Sequence, residues 1–473
     1  MVRPGKTQPS GVLSRTAEAW LEAVRDAERR GELLSAFDLA EQGLEEYPRD
    51  VALQFRAVLS LARTGSTGQA ARRFIEFNLS SVDTEDVAAL EARIQKDEAL
   101  AAMGSERRRL AARAATAYRV IAARTHGYFP AINAATLTLV AGDAAAARAL
   151  ARDALDLVST SGEESYFAEA TEAEARLLLG DHDGARAALE RAAGLHEGDF
   201  GALSTTRRQL RMICAVTGID PGVLAVLAGP RVAHYCGHRM AGPGEEGRLR
   251  SDQEDDVASR IAHAVEHRPT GYAYGSLASG GDILWAEALL VSGCELHVVL
   301  PFALEEFVET SVAPAGGIWV TRFERCLEAA ETVNYATEDA YLDDDVLYGY
   351  CAELAMGLAL VRARHLDSDV HQLALWDGEA TTGLAGTAAD VARWRETGHD
   401  LVVVAPREQV SAVAATHAGA VRPRASSSPT GGRRHPRVIR AMLIGDISGF
   451  SKLTDEQLPT FAEVVLGAFA RVL

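Results

Sequence analysis

"TGYAYGSLASGGDILWAEALLVSGCELHVVLPF" occupies residues 270–302, and its texture changes twice. TGYAYGS (270–276) is short, aromatic and apolar, which predicts a strand. GGDILWAEALLVSG (280–293) reads as a helix opened by two glycines and closed by a third. ELHVVLPF (295–302) is again a near-continuous apolar run, the pattern of a strand covered on both faces.

The alternation extends in both directions. RVAHYCGHR (231–239) reads as a strand entering a turn. DQEDDVASRIAHAVEH (252–267) is a helix, with Val257, Ile261, Ala264 and Val265 on one face and acids in its first turn. After a longer helical stretch come HQLALWDG (371–378), TTGLAGTAADVARWRETG (381–398) and DLVVVAP (400–406). Strands alternating with helices predict a parallel, doubly wound sheet, so residues 228–407 are expected to form an α/β Rossmann-like domain.

Candidate ligand-binding residues gather where strands end. Gly237 and His238 follow the first strand. Ser276, Ser279, Gly280, Gly281 and Asp282 lie between the second strand and its helix. Asp377, Gly378, Thr381, Thr382, Gly383, Gly386 and Thr387 form a similar turn after the late strand. Glycine-freed amides and a helix dipole suit an anion, and open α/β sheets bind ligands at the carboxyl ends of their strands. Neither turn is G-x-G-x-x-G or a P-loop, and glycines also serve plain tight turns. The set "GHR", "SLASGGDIL" and "TTGLAGTA" resembles the SLOG superfamily, which includes the cytokinin-activating phosphoribohydrolases. The resemblance implies recognition of a nucleotide-type small molecule. The catalytic Arg and Glu pattern of those hydrolases is not found, so sensing is expected over hydrolysis. A stand-alone nucleotide-sensing scaffold and a nucleoside monophosphate-processing enzyme are the alternatives.

Other clusters carry less. His234, Cys236 and His238 alternate along a strand, but three ligands so spaced converge poorly on a tetrahedral ion. LDDDV (342–346) reads as a solvated acidic turn. Ser276 and Ser279 do not form a G-x-S-x-G elbow.

The N-terminal half is rich in Ala, Leu, Arg and Glu and poor in Pro, which favours helix. Gly31 is followed by Ala36, Ala40, Gly43 and Pro48, and Gly65 by Ala70 and Phe74. Gly142 is followed by Ala147, Ala151 and Ala154, and Gly180 by Ala185, Leu189 and Ala192. The spacing is 34 residues in the first pair and 38 in the second. Glycine permits the turn of a helical hairpin, and small residues let its helices close. Residues 11–220 therefore resemble tetratricopeptide (TPR) repeats, after a disordered tail over 1–10. FPAINAATLTLVAGDAAAARAL (129–150) is similar to the TRAFs-binding region of stress-activated kinase kinases. Both resemblances imply a protein partner, with a spacer or scaffold as the alternative.

Residues 408–437 hold Pro, Gly, Ser and Arg and read as a flexible linker. At 445–459, GDISGFSKLTDEQLP closely resembles the start of the class III adenylate/guanylate cyclase catalytic domain. The resemblance implies a ferredoxin-like α+β fold beginning at 438, of which 438–473 would supply the first strand and helix. It further implies that Asp446 and the backbone carbonyl of Ile447 help hold Mg2+ or Mn2+, and that a dimer converts ATP or GTP to cyclic nucleotide and pyrophosphate. The family's second metal Asp and its transition-state Asn and Arg lie further along, so this chain alone is expected to be inactive as a cyclase. The whole then reads as the regulatory, sensory portion of such an enzyme.

Composition sets outer bounds. The net charge of −18 argues against nucleic acid and anionic membranes as partners. No apolar run approaches the ~18 residues of a membrane span, and MVRPGKTQPS has no signal-peptide core. Scattered Cys214, Cys236, Cys294, Cys326 and Cys351 fit reduced thiols in a cytoplasm.

Overall fold

The computed structural model describes residues 15–337, 341, 345–380, 383 and 385–407. The linker, the cyclase-like segment with Asp446 and Ile447, and Thr381 and Thr382 of the late turn lie outside the described residues.

Helices come first. They are α1 (Ala17–Arg29), α2 (Leu33–Glu46), α3 (Val51–Thr64), α4 (Thr67–Glu76), α5 (Glu85–Ala101) and α6 (Gly104–Thr125). Then follow α7 (Tyr128–Ala141), α8 (Ala144–Ser161), α9 (Tyr166–Leu179), α10 (His182–Leu195) and α11 (Phe200–Thr217). The repeat glycines sit where the stereochemistry demands them. Gly31, Gly65, Gly142 and Gly180 end helices or turns at φ between 74° and 104°, a region closed to most L-residues. The small residues after them are fully buried: Ala36, Ala40, Ala70, Ala151, Ala154, Ala185 and Ala192 are at 0% exposure. Side chains of Thr16, Asp50, Thr84, Asp143, Ser165, Asp181 and Asp199 cap seven of these helices. Each cap satisfies an orphan amide and is worth about 1 kcal/mol. The pair α5–α6 completes the array between the glycine-marked hairpins. Its turn runs through Ala102 and Met103 into Gly104, at φ 58° and 38 residues before Gly142, which the sequence reading did not single out.

A parallel sheet follows, with strands β1 (Val232–Gly237), β2 (Tyr272–Gly275), β3 (Glu295–Leu300), β4 (Thr332–Tyr335), β5 (Val370–Leu375) and β6 (Asp400–Val404). The order across it is β4-β3-β2-β1-β5-β6, and every pairing is parallel. Between them lie α12 (Glu254–His267), α13 (Gly281–Val291), α14 (Leu304–Phe307), α15 (Gly317–Ala329), α16 (Val346–Leu366) and α17 (Thr387–Glu396). Strand residues alternate between the two faces. Ala233, Tyr235, Ala273, Leu296 and Val298 pack with Val257 and Ile261 of α12, Ile283 and Leu289 of α13 and Phe323 of α15. Val232, Tyr272 and Tyr274 pack on the other side with Met356, Ala359 and Ala363 of α16 and Trp394 of α17. Both faces are covered, which is why the strands read as continuous apolar runs.

Two features depart from the sequence reading. The helical stretch after β3 contains strand β4, a half-buried edge strand of only four residues. It also contains α16, which by length and composition could cross a membrane. Here α16 lies against β1, β2 and β3, with Cys351 and Ala355 packed on Val299.

The end of α16 joins the layers. A Cβ on Gly31 would stand 2.6 Å from Leu366 Cδ2, so the first repeat turn seats directly on that leucine. Arg207 and Arg211 of α11 reach Asp367 at 3.1 and 2.8 Å, and Arg208 donates to the His365 carbonyl at 2.8 Å. Arg30 meets Glu331 at 3.4 Å. Leu366 is 1% exposed. Leu366→Ala is expected to destabilise the protein by about 2–5 kcal/mol, read by urea denaturation. Val291→Ala, on the exposed flank of α13 at 89% exposure, should change little.

Candidate functional site

The strand order reverses at β1. Chain leaving β1 builds β2, β3 and β4 on one side, then returns through α16 to place β5 on the other. Connections diverge from such a point and leave a crevice above the strand ends. A cavity of about 610 Å³ lies there. Gly237, His238, Ser276, Asp282, Gly386 and Thr387 line it, so sequence-distant candidates converge.

The double glycine is explained by proximity. A Cβ on Gly281 would stand 2.5 Å from Gly237 Cα, and one on Gly280 2.5 Å from the Met240 nitrogen. Gly280 adopts φ 98°. Its neighbour's amide is already engaged: Gly281 N–H donates to the His238 carbonyl at 2.9 Å. The pair thus serves close packing of α13 on the β1 turn, and Gly281 does not offer a free amide to an anion. The amides of Asp282 and Ile283 have no backbone acceptor among the described residues. Ser279 ties the turn to Ser311 through its backbone N–H at 3.0 Å.

His238 and Asp377 pair across the reversal. His238 Nε2 lies 3.1 Å from Asp377 Oδ1 and accepts the Asp377 amide at 3.1 Å. Burial pushes the His238 pKa down against the pull of that carboxylate, and an accepting Nε2 fits the neutral ring. Burial also presses on Asp377, but the Glu379 amide, His238 and Arg248 hold its carboxyl below the usual range. Arg248 Nη1 reaches both its oxygens, at 3.1 and 3.2 Å. Gly378 follows at φ 86°, Gly383 is exposed, and Gly386 precedes α17 at φ 96°.

His234 and Cys236 do not join His238 in a metal face. His234 stacks on Trp394 at 5.9 Å, bonds Gln372 at 3.0 Å, and has its pKa pushed down by burial to about 3. Cys236 packs with Ala374 and Val391. Among the described residues, the His263, Glu266 and His267 group on the exposed side of α12 has metal-ligand spacing instead.

Several lining residues were not marked by the sequence reading. Asp390 is buried on α17, one turn after Thr387 and on the face of Val391 and Trp394. A lone acid on an apolar helix face was the signal available. Burial raises the pKa of both Asp282 and Asp390 to about 7. Phe307, Tyr341 and Tyr348 add an aromatic wall, with Tyr341 4.8 Å and Tyr348 5.4 Å from Phe302 between ring centroids. Residues Val308–Val312 form a π-helical turn, whose Thr310 and Ser311 carbonyls accept from Arg239 and from Ser279. Tyr235 and Ser276 belong to this lining, while Tyr235 Oη and Ser276 Oγ are themselves sealed from water without a hydrogen-bond partner among the described residues.

Residues 32–138 match the family model described as Tetratricopeptide Repeats-Sensor. The chain carries TPR-like repeats. The match spans α2 to most of α7 and ends before the sheet. A solved thermophilic TPR protein of Thermus thermophilus aligns with 41% of this chain and 100% of its own, at 16% identity and TM-score 0.34. LpoA of Haemophilus influenzae aligns with 82% of this chain and 74% of its own, at 10% identity and TM-score 0.18. No curated protein matches the chain.

The acid pair generates a pH signature. A carboxyl whose folded pKa is raised contributes stability at low pH that is lost as pH rises through the folded value, here about 7 for Asp282. Asp282→Asn removes that loss. The melting temperature of the variant, relative to wild type, is expected to climb between pH 4 and 8. A flat difference would place the Asp282 pKa near its ordinary value.

Proposed function

We propose that the chain is a sensor whose sheet-edge cavity takes a nucleotide-type ligand while its helical repeats hold a protein partner. The observation that carries this is the convergence of His238, Ser276, Asp282 and Thr387 on a cavity at the strand-order reversal, beside the buried hydroxyls of Tyr235 and Ser276, which have no partner among the described residues. Buried polar groups without partners are costly, and a ligand that bonds them removes the penalty. The cavity also offers what a nucleoside needs: aromatic rings for a base, and acids able to bond ribose hydroxyls. On this reading the sheet is a Rossmann-like domain of the SLOG type. Residues 445–459 support a class III cyclase as the output, acting as a dimer with Mg2+ or Mn2+ near Asp446 and Ile447.

Thermal shift with a panel of nucleoside mono-, di- and triphosphates tests the ligand. A stabilising nucleotide is expected, and Ser276→Ala should cut its affinity several-fold without lowering the melting temperature of the free protein, since the hydroxyl bonds nothing among the described residues. If the panel leaves the melting temperature unmoved, the cavity reading is wrong.

A second reading has its own observation. Asp282 and Asp390 titrate near neutrality, where a carboxylic acid can protonate a leaving base. If the cavity is an enzyme site on nucleoside monophosphates, chromatography should reveal free base, and Asp390→Asn should abolish its release.

A further inference from the structure

The helical half of this acidic chain contains a concentration of cations. Inner-face helices α1, α3, α5, α7, α9 and α11 enclose a cavity of about 530 Å³. A second, of about 520 Å³, lies between α3, α5, α11 and the end of α16. The two meet at Arg63, Arg93 and Lys96, which line both, and Arg208 lines the second.

These cations are poorly neutralised from within. The Arg63 side chain has no hydrogen bond or ion pair among the described residues. Burial, then the charges of Arg93 and Arg208, lower its pKa to about 10 against attraction from Glu28 and Asp199. Lys96 is 8% exposed and held by neutral groups, Asn133 Oδ1 at 2.9 Å and Gln209 Oε1 at 2.7 Å. Arg208 bonds Ser204 and a carbonyl, and its Nε is buried without a partner. The carboxylates nearby answer this charge only in part: Glu28 and Asp199 attract Arg63 and Glu174 attracts Lys96, but each is bonded elsewhere. Glu28 pairs with Arg56 at 2.7 Å, and Asp199 caps α11. Glu174 accepts from Thr136 and Gln209. Asp97 lies 3.6 Å from Arg93 and answers that one charge.

Like charges brought together out of water repel and lose hydration, so they are stable only with a counter-charge. Guanidinium groups match phosphate geometry in particular. We propose that this junction binds a small polyphosphate chain, gripped by Arg63, Arg93, Lys96 and Arg208. The cavity volumes suit a small molecule. Phe55, Phe129 and Phe167 line the outer cavity, the latter two at 48% and 53% exposure, and provide rings for a base when the chain is esterified to a nucleoside. This proposal stands on residues separate from the sheet-edge cavity.

Calorimetric titration of the full chain with inorganic tripolyphosphate, and separately with ATP and GTP, tests it. Tripolyphosphate should bind, with affinity that falls as salt rises. Arg63→Ala should weaken it at least tenfold while the melting temperature of the free protein holds or rises, because the Arg63 side chain bonds nothing among the described residues. Ser276→Ala should leave tripolyphosphate binding unchanged, which separates this site from the sheet-edge one. Nucleotides binding more tightly than tripolyphosphate, through Arg63, would assign the rings to a base; equal affinity would assign the inorganic chain. The proposal is overturned if tripolyphosphate does not bind, if Arg63→Ala binds it as wild type does, or if a tetraglutamate peptide binds more tightly than any phosphate.

Discussion

Arg362 enters the junction of helices and sheet almost out of water, at 5% exposure. Its guanidinium lies 4.2 Å above the Tyr272 ring and 3.6 Å from Glu32. A charge so placed needs both neighbours, for an isolated one would be strongly destabilising. Tyr272 belongs to β2, Arg362 to α16, and Glu32 precedes α2. One cation therefore ties a central strand, the long helix above it and the first repeat. Leu366 against Gly31 and Asp367 against Arg207 and Arg211 continue the same line. The helical array is a wall of the α/β layer, fixed through one end of α16.

How much of this the sequence disclosed depended on which physics was at work. The hairpins at Gly31, Gly65, Gly142 and Gly180 were legible because a left-handed turn and a close helix contact each select particular residues. The pair α5–α6 has its glycine, Gly104, but Arg109 and Arg113 stand where the other repeats carry small or apolar residues. Four of the β-strands announced themselves as apolar runs bounded by turn residues, and β1 as a strand entering "GHR". Strand β4 did not, since Thr332–Tyr335 is half-buried at the sheet edge and, among the described residues, pairs only with β3.

The site followed a similar rule. Placement at strand ends was readable, and His238, Ser276, Asp282 and Thr387 do converge. The role of Gly280 and Gly281 was not, because a glycine that frees amides and a glycine that admits a neighbouring backbone look identical in sequence. Only the 2.5 Å approaches, of Gly280 to the Met240 nitrogen and of Gly281 to Gly237, distinguish them. Asp390, Tyr341 and Tyr348 escaped notice because their importance is tertiary. They reach the cavity from α16, α17 and the chain before them, all distant from β1 along the sequence.

The cysteines bear on how the molecule can be watched opening. All five are unpaired and buried, and burial raises every thiol above its ordinary pKa. A thiol reagent attacks the thiolate, so the folded protein is protected twice, by access and by ionisation. Cys214 lies in α11, and the other four lie in the sheet layer. The chain thus carries its own clock for local opening. Alkylation at Cys214 against the remaining sites, timed by mass spectrometry, distinguishes fraying of the helical wall from opening of the sheet.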